Sequence, residues 1–546
     1  MPLFDSLLRW LIPDSKNEKS GPGGKDKIER RASARASFVP SSVVPDAIAV
    51  MIADFDGPDG EGLAERLAGS IGALPGLVLL RRKEPLRLSG PGGVTEKLAA
   101  AAERGRAWLQ DAPADLLVWG EISPDIHSAT LRLLPAIAEP DGVVGAFGLG
   151  DAFEVPAALG GAGRLNEKPG AGIAAGSSIF GAVMPIGMRS HDAPGGDVYR
   201  VAAATVLAAA VRGKAGAKGL AIEGLRRLLA DMPDPAALAS AGQPPAIMAS
   251  LLLGLGHAHA ADVRCGGDPA GLKRTLACYR AAAERLTALT SPLLWAQAQN
   301  HLAAVLIALA ESEHSPARLR DAVAVHRTMA ETLTRIEHPN DWALAHARLG
   351  SILYRLGQME GQPKHFRDAA IAYQQALTVF TQAAHPLRWS DLMHHYGVLL
   401  TALGEHMTGT AALEQAVMVF RKALNVRRRD ILPLFWAQTA SGLGAAAFAL
   451  AKRNGDAALL REAVGCFEGA LEIYGQLGQG QAIAVLQRNL QRAQRLLETR
   501  GATLADDVAP KGADAAPARA AGGVQPELSG AKAAASAARS SVKSGK

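Results

Sequence analysis

Residues 433–476 read PLFWAQTASGLGAAAFALAKRNGDAALLREAVGCFEGALEIYGQ, and the proline and tryptophan that open this stretch recur upstream at a fixed interval. Trp295, Trp342, Trp389 and Trp436 stand 47 residues apart, and Pro292, Pro339, Pro386 and Pro433 each precede one of them by three positions. One step further back lands on Pro245 and Met248, and one step forward on Gly480 and Ile483. The pattern therefore begins near 245 and fades after about 480. A period of 20–50 residues marks a solenoid, in which each unit buries its apolar face only against its neighbours.

Within each unit apolar residues recur twice at helical spacing. Leu302, Leu306 and Leu309 align with Leu349, Leu353 and Leu356, with Tyr396, Leu400 and Leu403, and with Leu443, Ala447 and Leu450. The next residue is small each time (Gly256, Ala303, Gly350, Gly397, Gly444), as close helix approach requires. In the second half Ala322, His326 and Met329 align with Ala369, Tyr373 and Ala376, with Ala416, Phe420 and Ala423, and with Ala463, Phe467 and Ala470. An aromatic between two alanines fills the hole they leave. Polar or glycine-bearing segments at 311–316, 357–363, 404–410 and 454–456 then read as the loops of antiparallel helix pairs.

Leucine, small residue and a second large residue three further on, followed by alanine, aromatic, alanine, resembles the tetratricopeptide repeat family over 245–500. That family's unit is about 34 residues, so the extra length here is expected in a longer inter-helix loop and a longer second helix. The resemblance implies a groove lined by the first helices. Carried over position by position, it falls on Gln297, Asn300, Tyr354, Arg355, Asp391, His394, Gln438, Ser441 and Phe448, a mixture suited to an extended partner segment. The tryptophans are expected to be structural, each packing on the preceding unit's second helix. Residues 480–500, with Leu486, Leu490, Ala493 and Leu497 on one face, predict a capping helix, and 197–244 a degenerate helix pair.

Upstream, strands are predicted at 47–55, 76–80, 115–122 and 130–134, with helices at 62–71 and 94–109 between them. The fold class expected is thus a small α/β domain over 46–156 followed by an all-α tetratricopeptide-like solenoid. The runs AIAVMIADFDG and ADLLVWGEI resemble strands of TolB-type amino-terminal domains, which implies a binding or assembly module without a catalytic centre. Asp54, Asp56 and Gly57 after a strand also resemble the first motif of haloacid-dehalogenase-type phosphatases, so the alternative is a phosphatase-like enzyme, in which Asp54 attacks phosphorus, or a nucleotide-dependent one, regulated by the repeats. Pro58 breaks that motif, and the one Asp-Asp pair, Asp506 and Asp507, falls in the tail. Proline also stands where a calcium loop built on Asp54, Asp56 and Asp59 needs its third ligand.

The formal charge of +6 lies mostly in the ends: residues 1–45 carry eight Lys and Arg against five Asp and Glu, and 501–546 six against four. Both ends are read as disordered tails and 157–196 as a glycine-rich connector. A near-neutral body and the lone triplet Arg427, Arg428 and Arg429, read as a helix-end feature, argue against specific nucleic-acid binding. Residues 2–12 are predicted to be an amphipathic helix, one that suits a membrane interface, a partner helix or the chain itself. The uncharged stretch Pro169–Met188 reads as a loop leading into a buried helix. Three cysteines without CxxC spacing suit a reducing compartment, with Cys278 and Cys466 as core residues. His257 and His259, two apart on a helix, do not face one site, and histidines are expected in the groove or on the surface. The reading is a cytoplasmic, non-enzymatic protein-binding scaffold with no metal or cofactor, peripheral to a membrane if residues 1–12 bind one.

Overall fold

In a computed structural model, residues 47–156 and 196–508 are described, apart from 73, 75, 92–93, 124–127, 140–141, 149, 215, 218 and 240–243. The amphipathic helix at 2–12, most of the connector with Pro169–Met188, and all of the carboxyl-terminal tail beyond 508 lie outside the described residues.

The amino-terminal unit is a five-stranded sheet: β1 (Ile48–Asp54), β2 (Leu77–Pro85), β3 (Leu116–Ile122), β4 (Ser128–Pro135) and β5 (Phe153–Pro156). Its order is β2-β1-β3-β4-β5. β1 is parallel to both neighbours, while β3, β4 and β5 pair antiparallel. Helices α1 (Gly60–Ile71) and α2 (Val94–Asp111) make the crossovers that parallel strands need. Alternation along β1 assigns the two faces. Ile48, Val50 and Ile52 face a core shared with α1 and the helices downstream. Met51 and Ala53 join Leu117, Trp119 and Leu134 in a second core with Leu98, Ala101 and Ala102 of α2. The sequence reading lacked β5, which is four residues long and follows a glycine-rich loop.

Helices α3 (Gly196–Gly213), α4 (Leu220–Ala230) and the short α5 (Pro235–Ala239) lead into the repeats. Each first helix starts at a periodic proline: α6 (Pro245–Arg264), α8 (Pro292–Glu313), α10 (Pro339–Glu360), α12 (Pro386–His406) and α14 (Pro433–Asn454). Proline suits this position because the first helical N–H has no partner to lose. The second helices are α7 (Gly271–Ala283), α9 (Pro316–Thr332), α11 (Pro363–Leu377), α13 (Ala411–Leu424) and α15 (Ala457–Gln476). α16 (Gly480–Val508) closes the array and runs past Arg500, where the tail had been expected to begin.

The small positions do what the pattern implied. A Cβ on Gly256, Gly350, Gly397 or Gly444 would sit 2.4, 3.1, 2.8 and 2.7 Å from the rings of Tyr279, Tyr373, Phe420 and Phe467 respectively. The extra residues of the unit, however, fall elsewhere than expected. Three first helices are 22 residues long, and only 314–315, 361–362 and 455–456 separate them from their partners. The length goes into the first helices and the linkers between units, such as 378–385 and 425–432. Gly357 and Gly404, read as loop signals, lie within α10 and α12, and a Cβ there would come within 2.8 Å of Phe366 and 2.6 Å of Leu413, which is why glycine stands at both.

The tryptophans are structural with one correction. Trp295 is 6 % exposed, whereas Trp342, Trp389 and Trp436 are half-buried against the core. Trp436 lies over Gly469 of α15, in its own unit, where a Cβ would meet the ring at 2.8 Å, so its packing includes its own second helix and not the preceding one alone. Helices α6, α8 and α14 are long and apolar enough to cross a membrane by length and composition, and 83, 67 and 61 % of those windows are buried inside the array.

Candidate functional site

Successive first helices approach one another more closely than successive second helices, which puts them on the tighter side of the array. Their half-exposed stripe runs, in the unit that α10 begins, through Leu344, Arg348, Ser351 and Arg355, spaced four, three and four apart. Of the expected groove residues, Gln297, Arg355, Asp391 and Gln438 fall at positions of this stripe, with Gln297 buried, Asp391 exposed and the other two half-exposed. Asn300 and Phe448 are half-buried beside it, and Asn300 Oδ1 is enclosed with no hydrogen-bond partner among the described residues.

Three others turn inward. Tyr354 is 5 % exposed, His394 4 % and Ser441 fully buried. The Tyr354 ring lies 5.9 Å from Phe366, and its hydroxyl accepts from Gln358 at 2.6 Å. Ser441 Oγ donates to the Ala437 carbonyl at 2.7 Å. The family offset does not hold in every unit: two before the reference residue, Asn300 and Ala347 stay half-exposed while His394 and Ser441 are buried, and one before it, His301, Arg348 and His395 are half-exposed while Gly442 is buried.

The first two units are already engaged by the chain itself. β5 is an edge strand, and its free edge is covered: Ala152 N–H donates to Gln297 Oε1 at 3.2 Å and Glu154 N–H to Ser250 Oγ at 2.9 Å. Ser250 and Gln297 are one repeat apart, at the same position of successive first helices, and they take alternate amides of one extended segment. The loop before β5 adds two anchors. Glu139 pairs with Arg212 of α3 at 2.6 Å and with Arg264 of α6. Asp151 lies 3.3 Å from His301 of α8, beside the ring of His257 from α6. This cluster was missed from sequence because its members come from three separated segments. His257 is fully buried, and His259, His326 and His394 are buried too, so these histidines are neither groove nor surface residues.

The arginine triplet is likewise committed. Arg427, 2 % exposed, lies beyond the end of α13 and bridges two units, reaching Asp391 at 2.6 Å, Thr439 at 3.0 Å and Ser390 at 3.3 Å, with its guanidinium over Phe435. Arg428 pairs with Asp430, and Arg429 with Glu472 while covering the Trp436 ring. The acidic turn after β1 stands at the carboxyl ends of the parallel strands, where ligands of open α/β sheets bind. Each carboxylate there already holds an arginine: Asp54 with Arg81 at 2.7 Å, Asp56 with Arg87 at 3.1 Å and Asp59 with Arg66 at 2.9 Å.

His326 occupies the position that Tyr279, Tyr373, Phe420 and Phe467 fill in other units, and it is opposed by Ala303 where they meet glycine. Burial, aided by Arg348, lowers its pKa from 6.5 to about 3. Between those values the unfolded chain binds a proton that the folded chain refuses, so stability falls as pH drops through that window. The loss from this one group is about 2 kcal/mol between pH 7 and pH 5. Restoring the repeat's own pair with His326→Phe and Ala303→Gly should remove that share, read as a flatter dependence of urea midpoints on pH. An unchanged slope would mean that His326 is not the acid-sensitive group. Cys278 is fully buried, Cys466 is half-buried, and burial pushes both thiols up to about 12.

No family model and no curated protein match the chain. Among solved structures it is similar to one described as "DHF58 filament", at 19 % identity and a TM-score of 0.19, over 39 % of this chain and 97 % of that one. It is also similar to a "Circular tandem repeat protein with novel repeat topology and enhanced subunit contact surfaces", at 13 % identity and a TM-score of 0.24, over 57 % of this chain and 84 % of that one.

Proposed function

We propose that the chain is a non-enzymatic scaffold whose first-helix stripe, beyond the two units engaged by β5, holds an extended segment of a partner protein. The observation behind this reading is the seating of β5. Ser250 and Gln297 accept amides of extended backbone, and the same position continues through Gln438 and through Asp391, whose carboxylate also holds Arg427, with Leu344 between them offering an apolar contact. Main-chain hydrogen bonds then give affinity and the half-buried side chains give selectivity. The tetratricopeptide likeness of the repeats and the TolB-type likeness of the sheet domain, an assembly module in that family, support the same reading. A cytoplasmic setting is part of this proposal.

The test is quantitative co-purification with cross-linking from the native host, comparing the unaltered chain with Leu344→Ala/Gln438→Ala. A partner recovered at fixed stoichiometry, cross-linked to units α10 to α15 and retained at least about tenfold less by the variant at unchanged helical circular dichroism, supports the proposal. Equal retention removes this face. The enzyme alternative is checked on the same preparation with Mg²⁺ and a generic phosphomonoester. No turnover above buffer is expected, and turnover lost in Asp54→Asn would replace the scaffold reading with a catalytic one.

A further inference from the structure

We propose that Asp151, His257 and His301 bind one divalent transition-metal ion of the zinc class, which clips the sheet domain to the first two repeats. The three residues come from the loop before β5, from α6 and from α8, and one ligand atom of each lies within 4.8 Å of the others. His301 Nε2 stands 3.3 Å from both carboxylate oxygens of Asp151. That separation is about the edge of a tetrahedron whose metal bonds are about 2.0–2.1 Å.

His257 points to a ligand most directly. Its Nδ1 lies 2.7 Å from the Leu253 carbonyl, to which it donates, with the Tyr279 hydroxyl at 3.2 Å. The proton is thereby placed on Nδ1, leaving Nε2 as a bare lone pair. Nε2 is buried and has no hydrogen-bond partner among the described residues, and the ring centroid is 4.5 Å from that of His301. An imidazole whose other nitrogen donates to a backbone carbonyl is the usual support of a metal-bound histidine. An Asp–His hydrogen bond alone would account for His301 and leave His257 Nε2 without a role.

The remaining surroundings agree. Asp151 is held by the Gly148 N–H at 2.7 Å. The rings of Phe147 and Phe153 stand 4.7 and 5.5 Å from His257 and wall the site. The side chains of His301 and Asp151 remain 11 and 13 % exposed, which leaves a way in and a fourth position for water. Two imidazoles and one carboxylate suit zinc, whereas magnesium and calcium take oxygen ligands.

The test is titration of the chelator-treated full-length chain with Zn²⁺, Co²⁺ and Mg²⁺. One equivalent of Zn²⁺ or Co²⁺ per chain is expected, with the visible absorption of four-coordinate Co²⁺ and no uptake of Mg²⁺ at the same concentrations. Affinity should fall at least about tenfold in Asp151→Asn and in His301→Gln. It should be unchanged in His365→Gln, which alters a histidine–carboxylate pair elsewhere. The unaltered chain decides the matter even if a variant misfolds, because failure to take up stoichiometric Zn²⁺ overturns the site. Uptake that Asp151→Asn and His301→Gln leave intact overturns it equally.

Discussion

Trp295→Ala should lower the unfolding free energy by about 3–5 kcal/mol, because it truncates a large side chain in the core and leaves a cavity that rigid helices cannot close. Trp295 alone among the four periodic tryptophans is buried rather than half-buried, so the same change at Trp342 should cost clearly less. A solenoid couples neighbours, and the loss should therefore be local at first. Hydrogen exchange should accelerate in α8 and α9 before the amides of α14 and α15 respond. Uniform acceleration across all units, or an equal cost at Trp295 and Trp342, would show that the array unfolds as one body or that the ring carries little of the packing.

The repeat was readable because its physics is local. A helix stripe, a small residue and an aromatic 23 positions further on, as Gly397 and Phe420 or Gly444 and Phe467, imply a contact that one unit states and the next repeats. The central sheet was readable for a similar reason, since β1 and β3 are short, largely apolar runs of strand length. The candidate site was not. Asp151, His257 and His301 have no shared local spacing, and only the docking of the loop before β5 onto α6 and α8 brings them together. β5 itself is too short to announce a strand, yet it decides what Ser250 and Gln297 do. The groove positions failed in a third way. The family offset that leaves Asn300 and Ala347 half-exposed puts His394 and Ser441 in the interior, so one offset does not serve every unit.

The loop between β4 and β5 is anchored at its other end by Glu139, whose side chain is 5 % exposed and holds both Arg212, 1 % exposed, and Arg264. Burial lowers the Arg212 pKa while Glu139 opposes that shift, so the guanidinium depends on this carboxylate to remain charged without penalty. Its Nη1 and Nη2 find no other hydrogen-bond partner among the described residues. Glu139→Ala removes the carboxylate and leaves the cation enclosed, which should cost about 3–5 kcal/mol in urea unfolding. The pair is not thereby a large net source of stability, because both charges were desolvated to form it. Replacing both partners by apolar side chains, as in Glu139→Leu/Arg212→Met, should recover most of the loss. A Glu139→Ala cost below about 1 kcal/mol would mean that water reaches Arg212 and that the ion pair does not hold the loop. A double variant as unstable as the single one would instead assign the cost to Glu139 packing, since removal of the orphaned charge would then have changed nothing.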